Sequence, residues 1–250
     1  MHTRWAGICC AAAVLGRVGT ASAVTLYDAM GFESPAFSVG ALDGQDGWTG
    51  GSLGGGVVPL VVTAPDPVLG QQAVRMEVGD AFEDTSLMDH DVILPSVAGQ
   101  IVTVSFDIYR PAPAGGKLAQ NLWWFWWDAG EPAAGLQWDI GETWPFGETP
   151  GAASAITVFD QYANLTLVWD FQQMKAFSWY NGALVDNGLP ISGITELTGW
   201  ALLLSHDGEA GTGGSIAFID NLRITAVPEP ASLVPAAAGA LALIRRRRSR

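Results

Sequence analysis

The chain has 250 residues, with 25 aspartates and glutamates against twelve lysines and arginines, for a net charge of −13 at pH 7. Residues 24–226 are more acidic still: Arg75, Arg110, Lys117, Lys175 and Arg223 face 24 acidic residues, a net of −19. A surface of that sign repels nucleic-acid phosphates and anionic lipid, which excludes nucleic acid as a partner and leaves a solvated exterior that serves solubility alone, cation binding or neutral polymers. The first element, Met1–Ala23, opens with Arg4, runs apolar from Trp5 to Leu15 and ends on Ala21-Ser22-Ala23, the pattern of a secretory signal peptide. Both cysteines, Cys9 and Cys10, lie inside it, so the exported chain must be held together by core packing or metal instead of disulfides.

From residue 24 onward helical periodicity is nearly absent. Alternation is clearest in "IVTVSFDIY" (101–109), where Val102, Val104, Phe106 and Ile108 share one face. Further strands are predicted at 57–63, 73–78, 121–128, 134–140, 154–159, 164–171, 174–180, 199–205 and 215–225, punctuated by clusters such as "DPVLG", "RPAPAGG" and "HDGEAGTGGS". Within "FSWYNGALV", Asn181-Gly182 between two β-prone runs predicts a type I′ hairpin. No repeat or internal linker divides the body. The expected fold is all-β: a two-sheet antiparallel β-sandwich of jelly-roll type in one domain, 24–226, flanked by an N-terminal signal helix and a C-terminal hydrophobic helix.

The chemistry-bearing stretches follow in chain order. His90 in "MDHDV" and His206 in "SHDG" read as loop histidines among carboxylates, and a zinc site would need a third ligand. In "NLWWFWWDAG" (121–130), Trp123, Phe125 and Trp127 point one way and Trp124 and Trp126 the other. One face packs on the core. The other, assigned here to Trp124 and Trp126, either lies under a loop or displays indole rings on which sugar rings stack. Trp138 and Trp144 extend such a platform from neighbouring segments, as do Trp169 and Trp179, although any of these tryptophans also serves as core filling.

"LQWDIGE" (136–142) resembles the Glu-x-Asp-x-x-Glu strand of laminarinase-type glycoside hydrolases, which have a concanavalin-like fold. A retaining mechanism needs two carboxylates about 5 Å apart. Here the frame is Gln137-x-Asp139-x-x-Glu142, with an amide at the nucleophile position, so no catalysis is expected from it.

"GFESPAFSVGALDGQDGW" (31–48), the Asn181-Gly182 hairpin and "IAFIDNLRIT" (216–225) together resemble concanavalin A/laminin-G-like sandwiches of bacterial surface proteins. The Phe-Glu opening with a late Asp-Asn equally resembles galactose-binding-like carbohydrate modules. In those modules an early Glu and a late Asp contribute to a structural calcium site, which implies Glu33 and Asp220 as metal ligands. Alternation supports attention to Asp220: with Ile216, Phe218, Leu222 and Ile224 inward, it falls on the apolar face, where a carboxylate must be hydrogen-bonded or metal-bound. Hard oxygen ligands fit Ca²⁺; capping of backbone amides near a bulge is the alternative.

The chain ends in "VPEPASLVPAAAGALALIRRRRSR" (227–250). Pro228-Glu229-Pro230, an apolar run too short for an ordinary span and Arg245, Arg246, Arg247 and Arg248 resemble the PEP-CTERM sorting signal of exopolysaccharide-producing bacteria. The resemblance implies a sorting helix held in the membrane until an exosortase-type enzyme removes it; an uncleaved anchor is the alternative. The expectation is therefore an exported, non-catalytic protein of the cell envelope, outer surface or extracellular matrix of a Gram-negative-type bacterium, associated with or binding exopolysaccharide. Its rivals are a glycan-active hydrolase or lyase on the same fold and a purely structural surface protein.

Overall fold

The computed structural model describes residues 22–79, 81, 84–112, 120–128, 131–139, 142–145, 158–191, 193–206 and 215–228. The signal helix, the sorting helix with Glu229, Pro230 and Arg245–Arg248, and residues 154–157 of the strand expected at 154–159 lie outside the described residues, while Val158 and Phe159 are not in a strand. No described helix is long and apolar enough to cross a membrane.

In chain order the strands are β1 (Val24–Asp28), β2 (Gly40–Ala41), β3 (Trp48–Leu53), β4 (Val57–Thr63), β5 (Gln72–Val78), β6 (Thr85–His90), β7 (Gln100–Tyr109), β8 (Gln120–Asp128), β9 (Glu131–Asp139), β10 (Glu142–Pro145), β11 (Tyr162–Asp170), β12 (Lys175–Tyr180), β13 (Ala183–Pro190), β14 (Gly199–His206) and β15 (Ser215–Pro228). Among the described residues they form two antiparallel sheets. The first has nine strands in the order β13-β12-β11-β7-β15-β5-β4-β2, with β1 added beside β15. The second has six, β10-β9-β8-β14-β6-β3. This is the expected sandwich.

The alternation of β7 explains its central place. Val102, Val104, Phe106 and Ile108 are all buried, while Thr103, Ser105 and Asp107 face outward. Opposite them the six-stranded sheet contributes Trp124, Trp126, Trp200 and Leu202, each at most 1% exposed. Rings meet edge-on in this core: Trp126 with Trp169 at 5.5 Å and 79°, and Phe106 with Trp200 at 6.1 Å and 61°. Such pairs add about 1 kcal/mol each beyond the area they bury. The hairpin between β12 and β13 closes as expected, with Asn181 at φ 50° and Gly182 at φ 80°, both signs that a type I′ turn requires.

β15 departs from simple alternation. Asp220 pairs with Asp107 and Arg223 with Ser105, so Asn221 and Leu222 together oppose one residue of β7. That bulge reverses the phase of the strand: Ala217 and Ile219 are buried before it, Leu222, Ile224 and Ala226 after it. Ile216 and Phe218, expected inward, therefore face out and are half-buried. Asn221 takes the left-handed conformation (φ 49°) that the extra residue demands and that Asn tolerates. At the same place β15 changes neighbours. β5 pairs with it up to Ile219, and β1 takes over from Arg223, with Val24 finally opposite Ala226.

Candidate functional site

The exchange of neighbours leaves a gap beside residues 220–222, and two segments fill it. From one side comes the turn Met30–Phe32, whose three residues all have positive φ, and which donates Ala29 N–H to Leu222 O at 2.9 Å. Left-handed backbone at Met30 and Phe32 costs roughly 1–2 kcal/mol per residue, which burial of Phe32 in the core offsets. From the other side comes the loop ending at Gly70. The turn delivers Glu33, whose Oε1 accepts the backbone N–H groups of Gln71 and Gln72, the latter at 2.9 Å.

Asp220 faces this pair. A side chain on Gly70 would lie against Glu33 Oε1 and 3.8 Å from Asp220 Oδ2, and one on Gly31 would lie 3.3 Å from Asn221 Oδ1 and 3.4 Å from Asp220 Oδ1. Gly70 is needed for the carboxylates to converge, and Gly31 supplies a positive φ that other residues rarely adopt. Asp220 is 0% exposed, its Oδ1 accepts the Asn221 N–H at 2.7 Å, and its Oδ2 has no hydrogen-bond partner. Burial pushes its pKa up to about 7; the Asn221 N–H works against that, and the charges of Asp107 and Glu33 reinforce it. Asp107 is itself held by two amides, Asn164 Nδ2 at 3.0 Å and Asn221 Nδ2 at 2.9 Å. The two halves of the calcium expectation thus meet in space. Asp220 also performs the alternative role, capping an amide at a bulge, but with one oxygen only. Among the described residues no three His, Cys, Asp or Glu side chains are placed to hold a metal. A cation between Glu33 and Asp220 would need carbonyl or water oxygens to complete its shell.

Asp84 provides a contrast. It is 3% exposed, and both its oxygens are used, Oδ1 by the Gly55 N–H and Oδ2 by the Ala81 N–H at 3.1 Å. Gly54, Gly55 and Gly79 crowd around it so closely that a side chain at any of them would collide with its carboxylate.

The aromatic strand resolves in the opposite sense to expectation. Trp124 and Trp126 are 1% and 0% exposed and belong to the core, so they are not an outer platform. The residues turned outward are Trp123 and Trp127, both half-buried, with Phe125 6% exposed between them. Alternation defines two faces of a strand but not which one meets the other sheet. That choice follows from β14, where Trp200, Leu202 and Leu204 line up beside Trp126, Trp124 and Leu122 in the interior. Trp127 lies over Gly199, whose missing side chain makes the room, and stands edge-on to Phe125 at 5.2 Å and 74°.

Trp138 and Trp144 lie on β9 and β10, where register alone is described: Trp138 pairs with Leu122, and Trp144 with Gln137. The hydrolase-like frame divides between two strands. Gln137 pairs with Trp123 and Asp139 with Asn121, whereas Glu142 opens β10 opposite Asp139. The one-strand spacing of the hydrolase pattern is therefore broken as well as its nucleophile replaced.

Neither histidine is a loop residue. His206 ends β14 and is 1% exposed. His90 ends β6, its ring tilted 38° against Tyr27 at 4.0 Å, with Nδ1 2.7 Å from Asp91 O and Nε2 2.8 Å from Asp46 O.

No protein-family model matches the chain, and no curated protein matches it by sequence. Solved structures do resemble it in fold. A protein titled sialidase superposes over 71% of this chain at 12% identity and TM-score 0.51, the match spanning 17% of the sialidase. The cellulose-induced protein Cip1 superposes over 71% of this chain and 90% of its own, at 11% identity and TM-score 0.51. At these identities the likeness shows the jelly-roll fold.

Proposed function

We propose that this chain is an exported, non-catalytic β-sandwich protein of the cell envelope or extracellular matrix that binds neutral exopolysaccharide on the outer face of its six-stranded sheet. The observation that carries the reading is the stripe Trp123–Phe125–Trp127, beside the strand in which Gln137 stands where a hydrolase of this fold would need its nucleophile. The half-buried rings of Trp123 and Trp127 offer π faces to the C–H groups of sugars, and the net −19 of the body disfavours anionic polymers. The leader 1–23 and the tail 227–250, with Pro228-Glu229-Pro230 and Arg245–Arg248, support export and exosortase-type sorting from the membrane.

Calcium has a structural place in this reading. Glu33 and Asp220 would hold it with backbone or water oxygens, neutralising two facing carboxylates and closing the gap between β5 and β1. The donor set suits a hard cation, and the unpartnered Asp220 Oδ2 is the specific observation in its favour.

The test is binding of the purified chain to immobilised mixed-linkage β-glucan, galactomannan and dextran, alongside an assay for released reducing ends. Trp123→Ala/Trp127→Ala is expected to weaken binding at least tenfold without unfolding the protein, and no reducing ends are expected. Released sugar would make the protein an enzyme. Absence of binding by the native chain across the panel would favour the purely structural reading.

A further inference from the structure

The outer face of the nine-stranded sheet carries a second surface with the same chemistry. On β12, Phe177 and Trp179 alternate to one side and stack with ring centres 6.2 Å apart and planes 25° from parallel. Both are half-buried on the side away from the core. The pairing continues the surface across the sheet. Trp179 opposes Thr166, which opposes Ser105; Phe177 opposes Val168, which opposes Thr103. At the other end of β11, Tyr162 pairs with Tyr109, the rings 5.4 Å apart at 66°. From residue 168 to residue 162 the strip runs about 20 Å along the strand. The exposed Asn164 lies within it, its amide donating to Asp107 Oδ1 at 3.0 Å and Ser105 Oγ at 3.2 Å.

The strip itself is almost uncharged on a domain that is otherwise strongly acidic, and the ionised groups next to it are cations, Lys175 beside Phe177 and Arg223 opposite Ser105, the latter paired with Asp28. Phe177, Trp179, Thr166, Val168, Ser105, Thr103, Tyr162 and Tyr109 have no ionised side chain at neutral pH, and both oxygens of Asp107 are taken by asparagine amides. Near-parallel rings at one end, a tyrosine ring pair at the other, and hydroxyls and an amide between them suit an extended, uncharged, hydroxyl-rich chain. A polyanion would meet the net negative charge of the domain, and a polycation would meet Lys175 and Arg223 and find few free carboxylates on the strip.

We propose that this strip is a second polysaccharide-binding face, so that one domain holds two neutral glycan chains, one on each sheet, and cross-links them. The proposal rests on the glycan-binding reading of the six-stranded sheet and adds bivalency to it. Because the two outer faces point in opposite directions, a single chain is bound at both only if it wraps around the sandwich; two chains are bridged directly.

The experiment is a bridging assay on the full chain, using the fraction that light scattering identifies as monomer. Beads coated with mixed-linkage β-glucan, galactomannan or dextran are loaded with protein, washed, and offered the same polysaccharide in soluble fluorescent form. The native chain is expected to capture it. Phe177→Ala/Trp179→Ala is expected to stay on the beads and lose at least nine-tenths of the capture, and so is Trp123→Ala/Trp127→Ala. Thr166→Glu puts a charge in the strip without emptying either aromatic pair and is expected to reduce capture in the same direction, which guards against loss of fold in the double variant. Undiminished capture by folded Phe177→Ala/Trp179→Ala and Thr166→Glu would overturn the second face. So would complete loss of bead binding on removing Trp123 and Trp127 alone, and that result would leave the first reading standing. Failure of the native chain to bind any coated bead would remove both.

Discussion

Asp84 and Asp220 are two fully buried carboxylates in glycine-lined surroundings, and they differ in one respect. Asp84 spends both oxygens on backbone N–H groups that lie close to it. Asp220 spends one, and its second oxygen faces Glu33 across Gly70. A buried carboxylate saturated by amides is a staple, because its charge is paid for by fixed dipoles. One left with an open oxygen beside other carboxylates is in deficit, and a proton or a cation is what removes the deficit.

Acid titration should expose the difference most strongly. Without divalent metal the native Asp220 carboxyl keeps its proton up to about pH 7, whereas the unfolded chain releases it near the ordinary value of 3.8. Its contribution to stability is therefore complete below about pH 4, is lost as pH rises toward 7, and is flat above. Three units at about 1.4 kcal/mol each set the span at roughly 4 kcal/mol. The measurement is the difference in unfolding free energy between the native chain and Asp220→Asn across pH 4–8 in chelator. A difference that does not change over that range would mean Asp220 is satisfied as Asp84 is.

Asp84→Ala breaks the other half of the contrast. It removes the acceptor of the Gly55 and Ala81 N–H groups, for a loss of about 2 kcal/mol in denaturant melts, while Asp220→Asn at pH 7 without metal is expected to be neutral or stabilising. Equal losses at the two positions would erase the distinction.

Calcium sharpens the comparison further. At a hundredfold excess over its Kd it should stabilise the native chain by about 2.7 kcal/mol, more at pH 8 than at pH 5.5 because it must displace the proton. Asp220→Asn and Glu33→Gln should lose that response in thermal melts, and Asp84→Asn should keep it. An identical melt in chelator and in calcium would leave the proton as the sole remedy.

How much of this could be read from the chain follows from where each signal resides. β4 was visible residue for residue and β7 to within one residue because apolar runs and alternation are local. β3, with its sequence WTGGSL, and β6, with TSLMDH, carry too little of either, and form because each supplies the other's hydrogen bonds. Glu33 and Asp220 could be paired through resemblance, but the loop at Gly70–Gln72 that completes their site is 38 residues beyond Glu33 and has no pattern of its own. The phase error on β15 came from reading alternation straight through Asn221. An Asp-Asn pair inside an apolar strand was the one clue to a bulge. The tryptophans failed differently: five consecutive aromatics, 123–127, make both faces of β8 equally apolar, so only the strand beside it, β14 with Trp200, Leu202 and Leu204 inward, decides which is buried.

The pairing of Val24 with Ala226 has a consequence for how the fold can be cut and rejoined. The first strand of the body and the last lie side by side in one sheet, so the chain is nearly a closed ring. A short linker between them would span neighbouring strands, and the exposed two-residue turn at Asn181-Gly182 offers a place to open the ring elsewhere. The same sandwich would then begin at β13 and end at β12, its strand order unchanged. The architecture itself thus has no preferred beginning.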